Sequence, residues 1–177
     1  MDRRVIALGF FDGVHLGHGA LLRQARLRAD QLGCAAAVMT FDRHPSALIS
    51  GRATPLITSR QDREYWMKTQ YGIDEVIFLH FGHAMMELPW QEFIEDCLLR
   101  DLGAVHVVCG ADYRFGFRGA GTAQLLQETC ARHGVEKGQI DLSARLIWLF
   151  EKAGFTVVGS TDAVASKLPR LVMRRTL

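Results

Sequence analysis

Two histidines three residues apart, His15 and His18, lie in the string Gly9-Phe10-Phe11-Asp12-Gly13-Val14-His15-Leu16-Gly17-His18. Their type and spacing suit the handling of phosphate. The string directly follows Arg4-Val5-Ile6-Ala7-Leu8, which reads as a buried strand of a parallel sheet. It directly precedes an apolar stripe at helical spacing that runs from Ala20-Leu21-Leu22 to Leu32, with Arg and Gln on the other face. The histidines are therefore expected at a strand-to-helix turn. There the first N–H groups of the helix lack partners and the helix dipole favours anions, so a triphosphate is the natural guest. Gly9, Gly13 and Gly17 let phosphate approach the backbone with no Cβ in the way. From one side of the turn, His15 and His18 can donate to phosphate oxygens that gain charge in a displacement.

Other chemistry is possible for the same residues. A histidine pair can ligate a metal, but no second cluster of Cys, His or carboxylates at ligand spacing stands nearby. The glycine pattern is neither G-x-G-x-x-G nor G-x-x-x-x-G-K-[ST], which argues against a dinucleotide-binding Rossmann site or a P-loop. A second candidate string is Thr40-Phe41-Asp42-Arg43-His44-Pro45. Pro45 stiffens the turn that presents Asp42 and His44, and a carboxylate there could accept from a sugar hydroxyl or an exocyclic amine, or could simply cap the turn. The third is Gly110-Ala111-Asp112-Tyr113-Arg114-Phe115-Gly116, followed by Gly119 and Gly121. Its aromatics suit a flat ring or a hydrophobic plug, and its glycines suggest a mobile loop over a site. His80 and His83 repeat the three-residue spacing and read as an ordinary loop after a strand. Met85, Met86, Leu88 and Trp90 read as core or as the wall of a ligand pocket.

The three strings, in this order and spacing, resemble the FMN adenylyltransferase domain of bacterial FAD synthetases. The first is similar to the HxGH nucleotidyltransferase signature in its G-x-F-D-G-V-H-x-G-H form, the second to T-F-D-x-H-P, and the third to G-x-D-[FY]-x-F-G-x-x-x-x-G. The resemblance runs from about Val5 to about Gly134. It implies an α/β, Rossmann-like doubly wound parallel sheet of the HxGH type and transfer of AMP from MgATP to FMN, giving FAD and pyrophosphate. It further implies His15 and His18 as catalytic residues. Gly9, Phe10, Phe11, Asp12, Gly13, Gly17, Gly110, Asp112, Phe115 and Gly116 would border ATP, and Thr40, Asp42, His44 and Pro45 would border FMN. Mg²⁺ would accompany ATP, with no residue assigned as a metal ligand. Another HxGH transferase would share the first string only, and an inactive flavin- or nucleotide-binding homologue would keep the crevice.

That last reading arises from the carboxyl-terminal quarter. The family follows its third string with I-S-S-T-x-I-R, which completes the triphosphate site, and this chain has no such string. Val164-Ala165-Ser166-Lys167-Leu168-Pro169-Arg170 places Ser166 and Arg170 at matching spacing, and these are the expected remaining ATP contacts. Gly138 to Leu146 resembles the helix that follows I-S-S-T-x-I-R in the family, yet precedes the candidate here. Either the end is rearranged or a segment near 134–137 is lacking. The expectation is a single domain over 1–177 with an atypical segment from about 135, and with no room for a riboflavin kinase domain.

The elements that must hold these strings in place alternate. Strands fit Arg4 to Gly9, Ala35 to Phe41, Glu75 to Leu79 and Val105 to Cys109; helices fit Gly17 to Leu32, Ser59 to Tyr71, Pro89 to Asp101 and Thr122 to His133. Such alternation means a parallel sheet covered on both faces, with ligands bound beyond the carboxyl ends of the strands. The three strings follow the first, second and fourth strands and so converge on one crevice. Composition agrees: 177 residues, 49% hydrophobic, suffice for one sizeable core. A net charge of +2 gives no case for nucleic acid, and all but four of the 21 basic residues are arginine, whose fork suits phosphate. Cys34, Cys97, Cys109 and Cys130 are widely spaced and read as free thiols of a reducing compartment. The first apolar run is too short for a signal peptide and no run approaches a membrane span, so the cytoplasm is the expected location.

Overall fold

Val5, Ile6, Ala7 and Leu8 are almost wholly shielded from solvent, as a strand covered on both faces requires. They form β1 (Arg4–Leu8), the middle strand of the sheet in a computed structural model that describes residues 2–140, 155–162 and 169–175. β1 pairs in parallel with β2 (Ala35–Phe41) on one side and with β4 (Ala104–Gly110) on the other. β3 (Glu75–Leu79) extends the sheet beyond β2, and β7 (Glu136–Ile140) extends it beyond β4, giving the all-parallel order β3-β2-β1-β4-β7. The order reverses at β1, so a crevice opens between the outgoing ends of β1, β2 and β4.

Helices cover both faces. α1 (Leu16–Leu32) packs on β1 and β2 and meets α3 (Arg60–Tyr71). Against the opposite face, Ile6, Leu8, Met39 and Val107 share one core with Phe93, Ile94, Leu98 and Leu126. Those partners come from α6 (Ala123–Arg132) and from a π-helical stretch, Phe93–Asp101, that continues the short α5 (Trp90–Glu92). Local signals set the helix ends. Ser59 accepts from Asp62 N–H, and Asp62 returns a bond to Ser59, a full capping box; Gly33 and Gly72 close α1 and α3 at φ of 60° and 63°.

Several elements differ from the sequence reading. β1 ends at Leu8, one residue before Gly9, and Pro89 caps rather than opens its helix. Residues after Pro45 form α2 (Pro45–Ser50), and His83 begins α4 (His83–Glu87) instead of lying in a loop. The glycine-rich stretch is a two-stranded hairpin, β5 (Arg114–Phe115) with β6 (Gly121–Thr122). Gly138 to Ile140 belongs to the fifth parallel strand and not to a helix, because its backbone pairs with β4 from Val108 to Gly110. The chain divides into two compact units, 1–140 and 141–177. In the second, β8 (Phe155–Asp162) and β9 (Pro169–Arg175) form an antiparallel pair whose register shifts between Val157 and Gly159. None of the four cysteines is in a disulfide, and burial pushes the Cys97 thiol up to about 11. No helix among the described residues is long and apolar enough to cross a membrane.

Candidate active site

The turn after β1 is built from unusual backbone. Phe11 sits in the left-handed region at φ 59°, Gly13 follows at 71° and Val14 at 36°. Such strain persists only where surroundings over-determine it, and here they do. The Phe11 ring is fully buried beneath the turn. Asp12 accepts from Ile57 N–H at 2.9 Å and from both the N–H and the hydroxyl of Thr58 at 2.9 Å, while Gly13 N–H donates to the same hydroxyl oxygen. Burial opposes ionisation of Asp12, but the bonds from Ile57, Thr58 and Gly13 outweigh it and hold the carboxyl below its usual value. Asp12 therefore braces the turn through its side chain.

His15 is the N-cap of α1, its Nδ1 accepting from His18 N–H at 3.3 Å. A neutral ring that accepts at Nδ1 carries its proton on Nε2, so His15 presents a donor outward. The His18 ring stacks on it, centroids 3.6 Å apart and planes at 17°, and rests edge-on against Phe11 at 5.2 Å. Burial, helped by the neighbouring His15 and opposed by Asp12, pushes His18 down to about 4, and burial lowers His15 as well. Both rings are neutral hydrogen-bonding groups near pH 7. His18 Nδ1 is buried without a hydrogen-bond partner. The structure thus brings together the two residues expected to be catalytic, at the exposed start of a 17-residue helix.

The second string has a more structural face. The Thr40 side chain is fully buried, and its hydroxyl donates to the Phe10 carbonyl at 2.9 Å. Asp42 accepts from Phe81 N–H at 3.0 Å and from His80 Nδ1 at 2.7 Å, tying the ends of β2 and β3 together. Burial raises the Asp42 pKa, yet the Phe81 and His80 bonds leave it lowered overall. His44 accepts from Ser46 N–H and caps α2, with Pro45 in the first turn, and its ring meets Phe10 edge-on at 4.7 Å.

Between this string and the third lies a cavity of about 430 Å³, lined chiefly by Phe41, Phe81, Phe93, Tyr113, Phe115 and Phe117. Pro45, Met85 and Met86 also face it, whereas Leu88 and Trp90 pack against the core. Among the described residues, Arg114 and Arg118 are its only charged lining residues. The hairpin is pinned in place: Phe117 N–H donates to the Leu88 carbonyl at 2.7 Å, and a Cβ on Gly116 would come within 2.7 Å of the Trp90 backbone. Gly110 closes β4 and is buried, while Asp112 is exposed in the turn beyond it, off the cavity lining. Arg170 falls on β9 in the second unit, and Ser166 lies outside the described residues. Among the described residues no group of three or more His, Cys, Asp or Glu side chains is placed to hold a metal ion.

Thr58, His80 and Arg63 hydrogen-bond to residues of the first two strings, contacts that sequence reasoning missed. On the helix that carries Arg63, Tyr65 and Trp66 are 59% and 44% exposed, whereas Arg63 and Met67, four residues apart, carry the buried face. That i, i+4 pairing was the available signal.

Comparison with known proteins bears on the family. The FAD synthetase family model matches residues 1–144. A bifunctional riboflavin kinase/FMN adenylyltransferase of Listeria monocytogenes is 41% identical over 120 residues, covering 67% of this chain and 38% of the relative. Proteins of the same description from Bacillus subtilis and Escherichia coli are 34% and 30% identical, covering 71% and 75% of this chain and 40% and 42% of theirs. The chain thus spans about two fifths of the length of these curated relatives. A solved structure described as a macrolide-efflux protein from Streptococcus pneumoniae superposes with a TM-score of 0.68 at 28% identity, over 79% of this chain and 45% of that one.

Proposed function

This chain belongs to the FAD synthetase family, and from that premise we propose that it transfers the adenylyl group of ATP to the phosphate of FMN, releasing pyrophosphate. An FMN phosphate oxygen attacks the α-phosphorus, a new P–O bond forms, and the bond to the departing pyrophosphate breaks. The nucleophile is already an anion, so the protein needs to position and to stabilise charge rather than to abstract a proton. Two neutral histidines at a helix N-terminus suit that role. The donor at His15 Nε2 and the first N–H groups of α1 face the phosphates, and their contacts strengthen as charge moves onto the leaving oxygens. Magnesium would enter as part of the MgATP substrate and would neutralise pyrophosphate charge; Asp12 and Asp42 are both committed to backbone N–H groups, so the substrate's own phosphate oxygens would hold it.

The observation that carries the reading is the pairing of this histidine turn with an aromatic cavity at the ends of neighbouring strands. A volume of about 430 Å³ with almost wholly apolar walls fits a flat tricyclic ring and is ordinary for a small-molecule site. Phe10, braced by Thr40 and touching His44, links turn to cavity. The FMN-side residues Asp42, His44 and Pro45 act through this frame as much as by contact. Incubating the protein with FMN and MgATP and resolving flavins by chromatography tests the proposal: FAD and pyrophosphate form in equal amounts. Riboflavin in place of FMN yields no adenylylated product because it lacks the attacking phosphate. CTP is a poor donor, and preferential use of CTP would instead favour a cytidylyltransferase.

A further inference from the structure

Arg63 is the largest fully buried side chain among the described residues, at 0% exposure. Burying a guanidinium is costly unless it is paired and hydrogen-bonded. Its bonds go to neutral acceptors: Nη1 donates to the Phe10 carbonyl at 2.9 Å and lies 3.4 Å from the Thr40 hydroxyl, and Nη2 donates to the Phe41 carbonyl at 3.3 Å. Cζ lies 4.5 Å from the Phe10 ring centroid and 5.3 Å from that of Phe78. Nε is buried without a partner. No carboxylate among the described residues forms an ion pair with it. The charges that act on it from a distance are Asp12 and Asp42, which favour its cation, and Arg60, which opposes it. Asp12 spends its oxygens on Ile57 and Thr58, and Asp42 spends its own on Phe81 N–H and His80 Nδ1. A full positive charge is thus fixed at the outgoing ends of β1 and β2, under the residue that opens the histidine turn.

We propose that Arg63 is a positioning residue for nucleotide binding, which fixes Phe10 and holds a buried positive charge behind the turn for which the bound polyphosphate is the counter-charge. The proposal rests on the adenylyl-transfer reading for the identity of the anion. Charge held in a shielded site without reorganisation acts on an approaching anion more strongly than a solvated arginine does. An arginine whose task is only to join two strand ends acts on stability alone.

The test is calorimetric titration of the full chain with MgATP, with inorganic tripolyphosphate and with FMN, for wild type, Arg63→Met and Arg63→Lys. The expected result is a loss of about tenfold or more in affinity for MgATP and tripolyphosphate in the Met variant, recovered to within about threefold by Lys, with FMN affinity changed less than about twofold. Wild-type affinities in folded Arg63→Met, or no recovery by Lys, would overturn the proposal. Should the Met variant fail to fold, Arg63→Gln provides the same comparison with Lys. Failure of all three to fold assigns Arg63 to the fold alone and also overturns it. Wild type that forms FAD while the variants bind like it removes this inference and leaves the function standing. Arg63-dependent tripolyphosphate binding without FAD formation does the reverse.

Discussion

His18 is where burial and chemistry meet. Its stacked, desolvated ring stays neutral at physiological pH, so the catalytic contribution we propose for it is a preorganised hydrogen bond and not a charge. We expect His18→Ala to lower kcat by about 10²-fold, the typical loss of one such contact, with FMN affinity unchanged in a flavin fluorescence titration. The same burial sets an acid limit. The folded value of about 4 lies below the ordinary 6.5 of the unfolded chain, so between these values the unfolded chain binds a proton that the native one does not. Stability is fully present above about 6.5 and falls as pH drops toward 4. His106, pushed down to about 4 by burial and by Arg28, acts in the same direction. Urea midpoints measured at pH 7 and pH 5 should therefore differ less in His18→Gln than in wild type; an equal drop in both would contradict the assignment. At this scale the sequence was legible for His15 and His18, because the string names both residues and the turn that holds them. It was less so for Thr40, Asp12 and Asp42. Their polar atoms are spent on the scaffold, through Phe10, Thr58 and Phe81, and those partners lie 30 to 46 residues away.

Elements position these groups through close backbone approach. Gly116, at φ 72°, leaves no room for a side chain beside the Trp90 backbone, and backbone atoms cannot move aside as a flexible side chain would. Gly116→Ala should cost more than about 2 kcal/mol in urea unfolding and weaken FMN binding, because the hairpin that carries Phe115 and Phe117 must shift. Retained FMN affinity with an unchanged midpoint would separate the hairpin from the cavity. The long elements were readable: β1 to β4, α1, α3 and α6 have strong apolar periodicity and capping signals that agree with it. The short ones were not. α2 and α4, of six and five residues, carry too few positions for a period to emerge, and the hairpin strands have two residues each, stabilised by contacts with Leu88 and Trp90 rather than by local preference. The π-helical turn of Phe93–Asp101 has no sequence signature comparable to a cap.

Over the whole sheet, the order β3-β2-β1-β4-β7 brings the three strings, separated by up to about a hundred residues, to one end, as the proposed joining of two substrates requires. The fifth strand is hidden in the sequence because the family pattern breaks off near residue 135, whereas Glu136–Ile140 still completes the sheet. The second unit holds the remaining expectation. If Ser166 and Arg170 supply phosphate contacts, Arg170→Ala raises the KM for ATP and lowers kcat together; unchanged constants assign the triphosphate to the first unit alone.

The central claim, that this crevice joins ATP to FMN, is tested most directly by a single-product assay: purified protein with FMN and MgATP, with FAD resolved by chromatography and pyrophosphate measured in the same sample, beside His18→Ala. The account predicts FAD and pyrophosphate in equal amounts, with the rate reduced about 10²-fold in the variant. Folded wild-type protein that binds both FMN and ATP yet forms neither product would contradict it.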